Sequence, residues 1–186
     1  MGSDAARPPA QVVSVMILEP GSEIESTVVE TVQVSRAGFE GDRHAGLTRL
    51  ADVRNKDVPR GTEVPNDRQV TIVAQEELAR VALALGVPEI RPQWLGANLC
   101  LSGWDGLSDT PRGTLLMFPS AAALRIEAQN QPCTLPGRAI AAAYPDRDDL
   151  ASLFPKVAMG LRGLTASVAH PGRIAVGDTV TVSPPA

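Results

Sequence analysis

Residues 11–18 read Q-V-V-S-V-M-I-L and residues 26–34 read S-T-V-V-E-T-V-Q-V. Both runs are rich in β-branched side chains and partly alternate apolar with polar, the pattern of a half-buried strand. Glu19-Pro20-Gly21-Ser22 separates them and Ala37-Gly38 ends the second, so the stretch reads as two strands joined by a turn. Working outward, residues 68–73 (RQVTIV) predict a third strand that runs straight into a helix over 74–86. Leu78, Val81, Ala82 and Leu85 fall at helical spacing there, and Gly86 is the stop signal. Further strands are predicted at 97–101, 114–118, 124–128, 164–169 and 179–183. A second helix is predicted over 138–143 or 148–153, with Pro155 closing it. Many short strands, Gly/Pro turns and two or three helices predict a mainly β domain. We expect a closed β-barrel of short, mostly antiparallel strands with the helices at its periphery. No repeat or linker divides residues 11–183, so they are expected to form one domain between flexible tails, 1–10 and 184–186. Residues 42–67 show no periodicity, and a structureless stretch longer than about 12–15 residues is usually functional or disordered.

The 186 residues are 44% hydrophobic and 20% charged, which excludes an intrinsically disordered chain. Aromatics are only 3%, so the core must be aliphatic. Of 17 basic residues all but Lys56 and Lys156 are Arg. Arg grips carboxylate and phosphate in bidentate fashion, whereas Lys forms Schiff bases. Lys56 lies in the polar loop and Lys156 follows a proline, so pyridoxal phosphate chemistry is not expected in this chain. The net charge of −4 disfavours a general nucleic-acid binder but not a local anion pocket. Two cysteines are too few for a disulfide framework or a four-thiolate zinc site. Apolar runs fall short of a membrane span, and residues 1–10 lack a targeting core, so the expectation is a cytoplasmic protein without membrane contact.

Four segments carry chemistry. Gly38–Gly46 reads G-F-E-G-D-R-H-A-G, and its glycines gather Asp42, Arg43 and His44, groups able to bind an anion or move a proton. A turn whose Asp caps its own backbone is the alternative. Arg68-Gln69-Val70-Thr71 leads into the helix bearing Glu76 and Glu77, and a strand with a solvated end is the plainer reading. Trp94-Leu95-Gly96-Ala97-Asn98-Leu99 either presents an amide to a ligand through Asn98 or is a structural turn. In Gln129-Asn130-Gln131-Pro132-Cys133 a Cys stands among polar neighbours, with Arg138 five residues on, a setting that favours thiolate. Cys100, flanked by Leu99 and Leu101, reads as core.

In this order the four segments, with the closing G-L-R-G…V-G-D-x-V of residues 160–180, resemble the MOSC family, the domain named for the C-terminal part of molybdenum cofactor sulfurases. The resemblance implies a β-barrel that handles sulfur or the molybdenum cofactor (molybdopterin). It makes Cys133 the residue that carries sulfur or ligates molybdenum, and His44 with Asp42 a hydrogen-bonding or proton-transfer pair. Gly41, Arg43, Arg68, Asn98, Arg138 and Arg162 become candidate cofactor contacts. Ala97 stands where the family often has Glu, so no carboxylate acts there.

Three readings follow. In the first, Cys133 ligates molybdenum in an oxidoreductase that reduces N-hydroxylated compounds, a small-molecule substrate, with electrons from a partner protein. In the second, Cys133 holds a transient persulfide received from a desulfurase, and the domain delivers sulfur or cofactor. In the third, the barrel has lost its chemistry and binds a protein partner.

Overall fold

The computed structural model describes residues 9–53 and 55–185. Its strands are β1 (Ala10–Ile17), β2 (Thr27–Val29), β3 (Thr31–Ser35), β4 (Gly38–Phe39), β5 (Thr48–Leu50), β6 (Glu63–Pro65) and β7 (Val70–Ala74). After helix α1 (Gln75–Leu85) come β8 (Leu99–Ser102), β9 (Leu115–Met117) and β10 (Ala123–Gln129). Helices α2 (Thr134–Ala143) and α3 (Leu150–Val157) follow, and β11 (Leu164–His170), β12 (Gly172–Ala175) and β13 (Thr179–Ser183) end the chain.

Seven strands close on themselves in the order β13–β9–β10–β11–β7–β8–β1, with β1 pairing back to β13. Only the β7–β8 pair in this ring is parallel. β2 is added outside β1, β12–β3–β4 form a small second sheet, and β5–β6 form a hairpin. The expected barrel and its peripheral helices are present. The details differ in four places. The run 26–34 is two strands broken at Glu30, because β2 pairs with β1 while β3 turns to β12. Both candidate second helices form, and Pro155 lies inside α3 rather than closing it. β12 follows the His-Pro-Gly turn without a sequence signal. The aperiodic stretch 42–67 holds the β5–β6 hairpin.

Strand alternation builds two cores. Val70, Ile72 and Ala74 of β7 and Leu99 and Leu101 of β8 point into the barrel with Leu116, Leu124, Ile126 and Leu164. Their neighbours Val73 and Cys100 point outward, into a second apolar layer with Leu78, Val81, Ile140, Leu150 and Phe154 of the helices. Gly137 allows α2 and α3 to touch, since a Cβ there would lie 2.7 Å from the Ala151 carbonyl oxygen. Among the described residues no helix is long and apolar enough to cross a membrane.

Candidate functional site

Backbone pairing decides which side chains meet around Cys133. β10 and β11 are antiparallel, with Gln129 opposite Leu164. The pairing extends one step further, as the Asn130 N–H donates to the Gly163 carbonyl at 2.8 Å. The two chains that diverge from this point carry Cys133 and Arg162. Gly163 has φ +79° and its absent Cβ would lie 2.0 Å from the Ile72 carbonyl oxygen, so only glycine allows this approach to β7.

Cys133 is exposed and is the N-cap residue of α2, at the positive end of a ten-residue helix. Arg162 is buried. Its Nη2 donates to the Leu95 carbonyl at 2.6 Å, while Nε and Nη1 have no protein partner. Burial pulls the pKa of this guanidinium down to about 10, the nearness of Cys133 opposes that pull, and the charge of Arg68 adds to it. Arg162 therefore stays cationic at neutral pH. It is a fixed positive charge within electrostatic range of both Cys133 and Arg68. Arg68 in turn donates through Nη2 to the Asn130 side-chain oxygen at 3.0 Å, three residues before Cys133.

The Gly-rich loop 38–46 is held from beneath. Gly41 has φ +86°, which turns the chain so that Asp42 enters the protein. One oxygen of Asp42 accepts from the Leu18 N–H at 2.8 Å and from Asn98 Nδ2 at 2.6 Å. The other accepts from the His44 N–H at 2.8 Å and lies 3.0 Å from His44 Nδ1. Burial pushes the Asp42 carboxyl up, but the hydrogen bonds from His44 and Leu18 outweigh it and hold it below the ordinary value. An ionised carboxylate only accepts, so Nδ1 of His44 carries the proton and Nε2 is left for another group. Asn66 adds bonds to the His44 and Gly46 carbonyls, and Gln69 to those of Arg36 and Gly46.

His44, Arg43, Arg49 and Arg68 line a cleft of about 510 Å³. Arg43 braces its rim by donating to the Ser22 and Glu23 carbonyls. Asn98 is fully buried and spends its amide inside the protein: its oxygen accepts from Thr71 N–H, and its nitrogen donates to Asp42 and the Met16 carbonyl. Arg138 is exposed on α2, and no hydrogen bond or ion pair joins it to Cys133 or Arg162. The structure thus gathers Cys133, Arg162 and Arg68 electrostatically and His44, Arg43 and Arg68 around one cleft, with Arg68 common to both. Cys100, by contrast, is buried under the helices, and burial pushes its thiol up to about 12.

Sequence reading missed Arg49, which lies in the aperiodic stretch, and the Glu77–Ser108 pair. Buried Glu77 accepts from Ser108 N–H and Oγ, and Ser108 Oγ accepts from the Gly163 N–H at 2.8 Å, beside Arg162. Burial raises the Glu77 carboxyl above its ordinary value, although the Ser108 bonds oppose the rise.

Comparison with known proteins agrees with the barrel fold. The family model for the MOSC domain matches residues 40–181. The chain is 46% identical over 145 residues to YuaD of Bacillus subtilis, a protein named for metal-sulfur cluster biosynthesis, covering 78% of this chain and 76% of that protein. The crystal structure of YuaD superposes with a TM-score of 0.89 over 93% of this chain and 94% of that one, at 40% identity. YiiM from Geobacillus stearothermophilus shares the fold, with a TM-score of 0.64 at 19% identity over 94% of this chain and 75% of its own. The chain belongs to the MOSC domain family.

Proposed function

We propose that this protein carries sulfur on Cys133 for the assembly of a metal-sulfur cofactor. The observation that supports it is the setting of the thiol: exposed, at a helix N-terminus, with the buried Arg162 cation behind it. A sulfur carrier needs a thiolate that a second protein can reach and a positive potential that favours the anionic sulfur. In the loading step the Cys133 thiolate attacks the outer sulfur of a donor persulfide. The new S–S bond leaves Cys133 as a persulfide, and the donor departs as a thiolate with the electron pair of the broken bond. The name of the B. subtilis relative points to the same chemistry.

A second reading, in which Cys133 ligates molybdenum in a reductase of N-hydroxylated compounds, draws support from the arginine- and histidine-lined cleft. Among the described residues no group of three or more His, Cys, Asp or Glu could hold a metal ion. One soft thiolate with cationic surroundings fits a metal that arrives with its own remaining ligands and an anionic tail, as the molybdenum cofactor does. That group would supply the redox chemistry. Arg43 and Arg68 would meet its negative charge, and His44 Nε2 would exchange a proton with the substrate.

Incubation with a cysteine desulfurase and cysteine separates the two. The carrier reading expects Cys133 to gain the mass of one sulfur atom and Cys133→Ser to gain none. Stoichiometric molybdenum and pterin in protein from a cofactor-competent host, lost in Cys133→Ser and with no sulfur adduct, would favour the second reading.

A further inference from the structure

The chain carries a net charge of −4, yet one face of it is basic. The cleft lined by Arg43, Arg49 and Arg68 shares Asn66 with a second cleft of about 580 Å³, lined by Arg36, Arg112 and Arg125. The carboxylates lining the two clefts are Asp52, Asp67 and Glu127. Arg49 pairs with Asp67, and Arg112 and Arg125 both approach Glu127. With Glu63, whose carboxylate accepts from the Thr48 hydroxyl of the first cleft, six cations meet four anions, and the face stays positive on a protein whose remainder is negative. Charge segregation of this kind steers an oppositely charged partner into one orientation.

The same face is apolar at its crest. Leu47 borders one cleft and Leu50 the other, and they are 66% and 67% exposed. Val53, on the same hairpin, is 61% exposed. Large aliphatic side chains grouped among arginines are a common make-up for a protein-binding surface, and a small anion would gain nothing from them. Arg68 links this face to the Cys133 segment, since it lines the first cleft and bonds to Asn130, three residues before Cys133.

We propose that this arginine-rich face, with Leu47 and Leu50 at its centre, docks an acidic protein that brings sulfur to Cys133. The inference rests on the sulfur-carrier reading and adds the location and charge of the donor's docking site. Docking would turn the donor persulfide toward Cys133, and the Leu47–Leu50 crest would supply the apolar contact that holds it.

The test is the rate of sulfur transfer to Cys133 from two donors: the host's purified cysteine desulfurase supplied with cysteine, and free cysteine persulfide. The variants are the pair Arg36→Glu with Arg112→Glu and, separately, Leu50→Ser, all at exposed positions away from Cys133 and Arg162. The expected result is a fall of about tenfold or more in transfer from the desulfurase to the charge-reversed protein, with loss of salt sensitivity. Leu50→Ser is expected to lower the same rate less, and transfer from free persulfide is expected to stay unchanged throughout. Unaltered transfer from the desulfurase, or an equal fall with both donors, overturns the docking site while leaving the carrier reading standing. If the unaltered protein accepts sulfur from neither donor, the carrier reading fails first. Binding of a labelled DNA duplex that charge reversal abolishes, with desulfurase transfer untouched, would assign the face to nucleic acid and overturn the proposal.

Discussion

Two polar clusters, one around Asp42 and one around Arg162, are built on opposite principles. Around Asp42 every hydrogen-bonding capacity is used: four contacts from Leu18, Asn98 and His44 saturate one buried carboxylate. Around Arg162 two guanidinium nitrogens are buried without a protein partner. A saturated cluster fixes geometry, while an unsatisfied charge stores electrostatic potential for something outside the fold. The first cluster shapes the loop and orients His44. The second sits behind the one exposed thiol among the described residues.

That difference is broken most severely at Asp42. Asp42→Ala removes a buried acceptor from four backbone or side-chain donors and frees the loop, so unfolding in urea should show a loss of about 3–4 kcal/mol. A loss below about 1 kcal/mol would mean that the loop is held elsewhere. The pH dependence has a definite sign. Asp42 is more acidic folded than unfolded, so its contribution is complete above the unfolded value near 3.9 and disappears as pH falls through the lower folded value. The stability gap between wild type and Asp42→Asn should therefore close on acidification below about pH 4, and a gap that stays constant would contradict the assignment.

Arg162→Met sharpens the other side. It removes a buried charge with two unpartnered nitrogens and keeps much of the side-chain volume, so stability should change by no more than about 1 kcal/mol. Sulfur loading of Cys133 from free persulfide should slow by about tenfold, because the positive potential behind the sulfur is gone. A protein that unfolds easily yet loads normally would make Arg162 a structural residue. The smallest effect is expected at Cys100, which faces the helix layer. Cys100→Ala should cost about 1 kcal/mol through lost packing and leave sulfur loading as it was. Any adduct on Cys100 in the folded protein would break the contrast between the two thiols.

Much of this was legible in the sequence. The apolar flanks of Cys100 and the polar flanks of Cys133 separated the two cysteines because each strand or loop neighbour reports its own environment. The barrel followed from short β-branched runs with Gly/Pro turns. Saturation was not legible. Asn98 and Asp42 are 56 residues apart, and nothing in their local sequence says that the Asn98 amide is spent on Asp42 rather than offered to a ligand. The nearness of Arg162 to Cys133 depends on the β10–β11 register, which local pattern does not specify. Glu77 reads as a solvated helix residue beside Leu78, and its burial depends on Ser108, 31 residues away. The 42–67 stretch looked structureless because β5 and β6 are three residues each, too short to show a period.

The central claim is that Cys133, and not Cys100, is the sulfur-handling thiol. Mass spectrometry of the intact protein and of its peptides, after incubation with a cysteine desulfurase and cysteine, tests it most directly. One added sulfur atom on Cys133, absent in Cys133→Ser and retained in Cys100→Ala, is the predicted result. An unmodified Cys133 under conditions that load a known sulfur carrier would contradict the account.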